Sequence, residues 1–139
     1  MDKYKVGYTT GVFDLFHIGH LNILKNAKAR CDFLIVGVST DELVLSYKFK
    51  TPVIPFHERL EIVKAVRYVD KVVPQVTMDK LDAWKKYHFD VVFHGSDWKG
   101  SELYEDIEKK LKEVKVEMVY LPHTTGTSST MLNEKLQGM

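Results

Sequence analysis

Residues 33–38 read Phe-Leu-Ile-Val-Gly-Val, a short apolar run without a polar break. Such a run is typical of a strand that is buried on both faces, as strands are in parallel sheets covered by helices. Further short runs that indicate strands lie at residues 6–8, 91–93 and 116–121. Val72-Val73 forms a shorter run that Pro74 interrupts, and a proline favours a position near the edge of a sheet. The sequence therefore predicts five strands.

Between these strands the apolar residues recur at the helical period, which indicates amphipathic helices. The helical faces are formed by Leu21, Leu24 and Ala27; Leu60, Val63 and Val66; Leu81, Trp84 and His88; Leu103, Ile107 and Leu111; and, after a cap at Ser128 or Ser129, Met131, Leu132 and Leu136. Alternation of strands and helices predicts an α/β fold, a single Rossmann-like domain with an open, mostly parallel five-stranded sheet and helices on both faces. Such sheets bind ligands at the carboxyl ends of their strands.

Length and composition limit the function classes. The 139 residues predict one domain, residues 1–139, and 45% apolar residues exclude disorder. Twenty Lys and Arg against nineteen Asp and Glu give a net charge of +1, so no nucleic acid partner is expected. Cys31 is the single cysteine, and we find neither a signal peptide nor an apolar run long enough for membrane insertion. We therefore expect a cytoplasmic protein.

The segment after the first strand, residues 9–20, reads TTGVFDLFHIGH. We expect Gly11 to permit a tight turn and Gly19 a close backbone approach. His17 and His20 stand three residues apart where the first helix begins, so both imidazoles can point the same way at a helix N-terminus, which favours anions. Two core histidines, a metal pair or a generic turn are the alternatives, and zinc would need further ligands at a usable spacing.

Three other segments carry candidate side chains. Lys48 and Lys50, in a predicted loop after the second strand, can reach a triphosphate or an acceptor phosphate, unless they are ordinary surface lysines. Arg67 lies at the end of a predicted helix, where the alternative to phosphate binding is an ion pair with Asp70, and we expect Asp70 to order the turn. Asp97-Trp98 follows the fourth strand and suits a ribose or base, unless the tryptophan belongs to the core.

Residues 124–130 read TTGTSST and place hydroxyl and backbone N–H groups at the start of the last predicted helix. This arrangement predicts a second phosphate cradle. No Walker A motif, dinucleotide-binding glycine fingerprint or Ser-His-Asp order is present in the sequence.

Four segments together resemble one known family. GVFDLFHIGH at 11–20 is close to G-T-F-D-x-x-H-x-G-H, RYVDKVVP at 67–74 to R-Y-V-D-x-V-x-P, GSDWKG at 95–100 to G-D-D-W-x-G, and TTGTSST at 124–130 to T-x-G-x-S-T-T. The chain thus resembles the cytidylyltransferase family of the H-x-G-H nucleotidyltransferase superfamily, and within it the glycerol-3-phosphate branch. His123 and Ser96 depart from that branch, which has arginine and aspartate at these positions.

The resemblance implies a function and its residues. It implies transfer of a cytidylyl group from CTP to glycerol 3-phosphate, giving CDP-glycerol and pyrophosphate. It implies that Mg²⁺ is bound to the CTP phosphates rather than in a protein cage. It also implies a homodimer. Alternatives are choline, ethanolamine or another polyol phosphate as acceptor, adenylyl transfer, and a non-catalytic nucleotide-binding module. Catalytic roles fall on His17, His20, Lys50 and Arg67, and acceptor binding on Asp14, Asp41 and Lys48. The nucleotide-binding residues implied are Thr10, Gly11, Val12, Phe13, His17, Gly19, His20, Lys50, Arg67, Gly95, Asp97, Trp98, His123, Thr124, Gly126, Thr127, Ser128, Ser129 and Thr130.

Overall fold

The computed structural model describes residues 4–95 and 101–122. Within these ranges the chain forms five strands and five helices. The strands are β1 (Tyr4–Gly11), β2 (Cys31–Ser39), β3 (Lys71–Gln75), β4 (Val91–Gly95) and β5 (Glu117–Leu121). The helices are α1 (Ile18–Lys28), α2 (Asp41–Lys48), α3 (Phe56–Lys64), α4 (Lys80–Tyr87) and α5 (Glu102–Glu113).

The five strands form one sheet in the order β3-β2-β1-β4-β5. All four neighbouring pairs are parallel, which confirms the predicted α/β fold with an open parallel sheet. β3 lies at an edge, as Pro74 predicts, because a proline has no N–H to give to a second neighbour. The chain runs outward from β1 to β3 and then returns to place β4 beside β1. The topological switch point therefore lies between the carboxyl ends of β1 and β4.

Helices cover both faces of the sheet, as predicted. On one face Leu24 and Ala27 of α1 and Val63 of α3 pack on a core that includes Val36 and Phe93. On the other face the side chains of α4 and α5 pack on alternate residues of the same strands. That second core includes Leu81, Trp84, Tyr104, Ile107, Leu111, Tyr8, Ile35 and Val92. The first core extends into the loop after β1, since Phe13 is buried in it and Phe16 packs against it.

Helix α2 is absent from the sequence prediction, which places Lys48 in a loop. That placement is wrong, since Lys48 is the last residue of α2. The helix begins after Thr40, whose side chain accepts a hydrogen bond from the N–H of Leu43, and it ends at Phe49 with φ 59°. Val44 is its one buried residue, so α2 lacks the apolar stripe on which periodicity depends.

The helix predicted after Ser128 or Ser129 lies outside the described residues. Among the helices that the structure does describe, none combines the length and apolarity needed to cross a membrane.

Candidate active site

The loop after β1 makes a tight turn and forms the first part of the site. Phe13 and Leu15 both have positive φ, 55° and 48°, a conformation that non-glycine residues rarely adopt and that is found at functional sites. The Phe13 ring is 5% exposed and lies over Gly11, where a Cβ atom would come within 2.9 Å of the ring. Gly11 is therefore required by the close approach of Phe13, whereas the turn itself is made by Phe13 and Leu15.

His17 and His20 lie together at the start of α1 and cap it reciprocally. Nδ1 of His17 accepts a hydrogen bond from the N–H of Gly19 at 3.0 Å, and Nδ1 of His20 accepts one from the N–H of His17 at 3.2 Å. The two rings stack with centroids 3.9 Å apart. Because each Nδ1 is an acceptor, the neutral rings carry their protons on Nε2. The cap thus presents two Nε2–H donors at a helix N-terminus.

The neutral state of His20 has a physical cause. Burial, and to a lesser extent the neighbouring His17, lowers the pKa of His20 to about 3. Phe13 and Phe16 contact the His20 ring, with centroids 5.4 and 5.3 Å away. His20 is therefore an uncharged hydrogen-bond donor at neutral pH.

A buried arginine that the sequence analysis missed ties the loops of the site together. Arg59 of α3 is 0% exposed. Its guanidinium donates to the backbone oxygens of Val12, Ser39 and Ile54 at 2.7, 2.7 and 2.8 Å, and to the Asp41 carboxylate at 2.6 Å. A signal for this role is present in the sequence, because Arg59 falls on the buried face of α3 between Phe56 and Val63 at helical spacing.

Two carboxylates predicted to bind the acceptor also hold other parts of the chain in place. Asp14 accepts from the N–H groups of Val53 and Ile54 at 2.8 and 2.9 Å, so it links the site loop to the segment before α3. Asp41 accepts from Arg59 and from the N–H of Phe56 at 3.3 Å. Their acceptor-binding role stays a prediction, and their visible contacts fix the walls of the site.

Lys48 and Lys50 lie close to each other near Asp14. Partial burial lowers the pKa of Lys48, and the like charge of Lys50 lowers it further, while Asp14 opposes the shift. Among the described residues neither lysine forms an ion pair within 4 Å with a carboxylate. Two cations without close counter-ions form a suitable place for a phosphate.

Arg67 is not brought to the two histidines. Its guanidinium donates to the Tyr68 hydroxyl at 2.9 Å. The nearby Asp70 does not pair with it but binds Lys28, the last residue of α1, at 2.6 Å, and accepts from the N–H of Leu34 at 2.7 Å. Asp70 thus orders its turn as expected. Because α1 is about 16 Å long, this end of it is remote from the histidine cap.

The remaining predicted residues divide into two groups. Thr10 is the next-to-last residue of β1 and Gly95 the last of β4, both at the switch point, and Gly19 lies buried in the first turn of α1. Outside the described residues lie Asp97, Trp98, His123, Thr124, Gly126, Thr127, Ser128, Ser129 and Thr130, together with Ser96. Within the described ranges no three His, Cys, Asp or Glu side chains are grouped to hold a metal ion.

The chain is similar to a known family over nearly its whole length. Residues 8–135 match the model of the family described as cytidylyltransferase-like. The glycerol-3-phosphate cytidylyltransferase of Bacillus subtilis (strain 168) is 37% identical over 132 residues, covering 94% of this chain and 96% of that protein. The ethanolamine-phosphate cytidylyltransferase of Dictyostelium discoideum is 45% identical over 98 residues, covering 67% of this chain and 26% of that longer protein.

A solved structure supports the fold alone. The lipopolysaccharide core biosynthesis protein of Thermoplasma volcanium superposes with a TM-score of 0.73 at 23% identity, covering 89% of this chain and 99% of that one. Its sheet and helices therefore agree with the arrangement described above.

Proposed function

This chain belongs to the cytidylyltransferase-like family, and from that premise we propose that it transfers a cytidylyl group from CTP to a small phosphorylated alcohol, with glycerol 3-phosphate as the acceptor. The products are CDP-glycerol and pyrophosphate. The observation that carries the proposal is the reciprocal cap of His17 and His20, which fixes two Nε2–H donors at the switch point.

In this reaction an oxygen of the acceptor phosphate attacks the α-phosphorus of CTP. The bond between the α-phosphorus and the oxygen that bridges it to the β-phosphorus breaks, and pyrophosphate leaves. The attacking oxygen is already anionic, so it needs no general base. The chain has to align the reactants and stabilise the negative charge that grows on the α-phosphate and on the leaving pyrophosphate. His17 and His20 donate from Nε2 to these oxygens, and the positive end of the α1 dipole adds to their effect.

The lysines divide between the two substrates. In this proposal Lys50 binds the triphosphate and Lys48 binds the acceptor phosphate. The two cations lie close together near the site loop. Binding an anion between them relieves their mutual repulsion. Two substrates that each carry phosphate are thereby brought together by charges that are otherwise poorly compensated.

Magnesium enters this proposal with CTP. The carboxylates nearest the site, Asp14 and Asp41, are occupied by backbone N–H groups and by Arg59. The donors at the cap are imidazoles, which suit phosphate oxygens rather than a magnesium ion. When bound with CTP, magnesium would neutralise part of the negative charge of the triphosphate.

A direct test measures pyrophosphate release with each of the four ribonucleoside triphosphates, magnesium and a panel of phosphorylated alcohols. We expect CTP and glycerol 3-phosphate to give the highest kcat/KM. Comparable kcat/KM values for ATP and CTP would indicate adenylyl transfer instead. Binding of CTP without pyrophosphate release from any acceptor would indicate a nucleotide-binding module.

The homodimer that the family resemblance implies and the cytoplasmic location expected from the sequence remain part of this proposal. Arg67 lies away from the histidine cap of its own chain, so its expected role at the phosphates requires a second subunit or a rearrangement. Light scattering of the purified protein tests the first condition, since a dimer has twice the 16.1 kDa mass of the chain.

A further inference from the structure

Phe49, the residue at which α2 ends, is a large apolar side chain that faces solvent. It is 86% exposed, the highest fraction among the large apolar residues that the structure describes. An aromatic ring in this state forgoes the stabilisation that its burial would supply. The fold described above therefore gains nothing from the ring of Phe49.

The backbone of Phe49 is in the left-handed region, with φ 59° and ψ 27°. Its N–H donates to the carbonyl of Leu45 at 3.1 Å and thereby closes the last turn of α2. Glycine is the usual residue at such a helix end, because a Cβ atom makes the left-handed conformation costly. Strain of this kind in a bulky residue is found at functional sites. Both the exposure and the strain indicate that the ring is retained for a purpose other than stability.

The position of Phe49 in the chain suggests that purpose. It stands between Lys48 and Lys50, the two lysines to which the proposed function assigns the phosphates. These lysines lie close to each other and to Asp14. Asp14 accepts from the N–H groups of residues 53–54, so the segment that carries Phe49 is fixed to α2 at its start and to the site loop at its end. The ring therefore lies at the rim of the crevice.

Two further apolar side chains continue the surface around Phe49. Leu45 and Val53 are each 49% exposed. Leu45 precedes Phe49 by four residues, so both lie on the same side of α2. The rim thus carries its cations and its exposed apolar groups on one segment, and a movement of the lysines towards bound phosphates would carry the apolar surface with them.

We propose that Phe49 closes over the phosphates when Lys48 and Lys50 bind them, and that its ring keeps water away from the α-phosphorus of CTP. This inference rests on the proposed cytidylyl transfer and adds the means by which the acceptor is selected over water. Phosphates between the lysines remove the repulsion between the two cations. Burial of the ring then favours the closed arrangement, and closure expels water from the site.

The competing reaction that this cover prevents is hydrolysis of CTP. A water oxygen forms a bond to the α-phosphorus, the bond to the bridging oxygen breaks, and the water gives up a proton to the solvent. The products are CMP and pyrophosphate, whereas transfer gives CDP-glycerol and pyrophosphate. The ratio of CMP to CDP-glycerol therefore reports directly how well the α-phosphorus is shielded.

The test measures this ratio, with CTP, magnesium and glycerol 3-phosphate, for the wild type and for Phe49→Gly. We expect the variant to raise the ratio of CMP to CDP-glycerol by at least about tenfold, because the closed arrangement loses its buried ring. Its Tm should stay unchanged or rise by about 2–4 °C, because glycine relieves the strain at the end of α2. A stable variant that wastes CTP separates shielding from a structural role.

Two further variants serve as matched controls. Phe49→Leu restores an apolar side chain and should return most of the selectivity. Phe33→Ala removes another exposed phenylalanine, 41% exposed and near the amino end of β2, and should leave the product ratio unchanged.

A product ratio in Phe49→Gly equal to that of the wild type would overturn the inference. A lower Tm with a parallel loss of both products would also overturn it, since the ring would then serve the fold. A smaller mass of Phe49→Gly in light scattering would overturn it too, since the ring would then belong to a contact between subunits. Failure of the wild type to release pyrophosphate with any acceptor would instead refute the proposed function.

Discussion

Replacing Arg59 by methionine removes a buried guanidinium and keeps an unbranched side chain of similar length. The change deletes hydrogen bonds to the backbone oxygens of Val12, Ser39 and Ile54 and leaves the Asp41 carboxylate without its ion-pair partner. Three segments that frame the site are held by this one side chain. We therefore expect both the stability and the activity of the protein to fall.

The magnitude follows from the burial of the groups that lose a partner. Removing one member of a buried ion pair costs about 3–5 kcal/mol in free energy of unfolding. The Asp41 side chain is 37% exposed, and water can solvate its carboxylate, so the lower end applies. About 3 kcal/mol corresponds to a decrease of roughly 10 °C in Tm for a chain of this size.

The assay is thermal unfolding of Arg59→Met beside Arg30→Met, a matched change at an exposed arginine. Pyrophosphate release is then measured well below the Tm of both variants. A displaced loop should lower kcat/KM for CTP by at least about tenfold, because small errors in alignment are costly in group transfer. If Arg59→Met unfolds within 2 °C of the control, the bracing role assigned to Arg59 is refuted.

Four further outcomes are expected. His17→Asn keeps an N-cap side chain but removes the Nε2–H donor, so kcat should fall by about 10²–10³ with little change in Tm, and a kcat within tenfold of wild type would contradict the role. The pKa of His20 is about 3 in the folded chain and 6.5 in the unfolded chain, so the free energy of unfolding should decrease as the pH falls from 6.5 towards 3. Urea unfolding across this pH range should show a smaller decrease for His20→Asn, which lacks the titrating group. Lys80 of α4 is 2% exposed, and burial lowers its pKa to about 7 in the folded chain from 10.5 in the unfolded chain. The free energy of unfolding of the wild type, relative to that of Lys80→Met, should therefore rise between pH 7 and 10.5. A difference between the two proteins that does not change with pH would show that Lys80 is not buried as described. Gly11→Ala places a Cβ 2.9 Å from the Phe13 ring, and we expect a lower Tm and a lower kcat, with unchanged values arguing against the close packing of this loop.

Much of the architecture was readable from the sequence because it depends on neighbouring residues. The apolar run at 33–38 has the length and composition of a doubly buried strand, and the alternation of strand and helix periods predicts a parallel sheet. The position of His17 and His20 at the first turn of α1 follows from their spacing of three residues and from the helical pattern behind them. Helix α2 was not predicted because it has one buried residue and therefore no periodic apolar face.

What the sequence determined by itself is the order of the elements and the chemistry that the strand ends can offer. The tertiary structure decided which of those groups meet. Arg59 reaches Val12 across 47 positions and Lys80 reaches Thr10 across 70, while Arg67, with an equally suggestive motif, lies at the far end of α1. Periodicity and capping depend on residues a few positions apart, so they can be recognised in a single sequence. Contacts between distant segments depend on strand register and on helix packing, which are fixed only when the whole sheet is assembled.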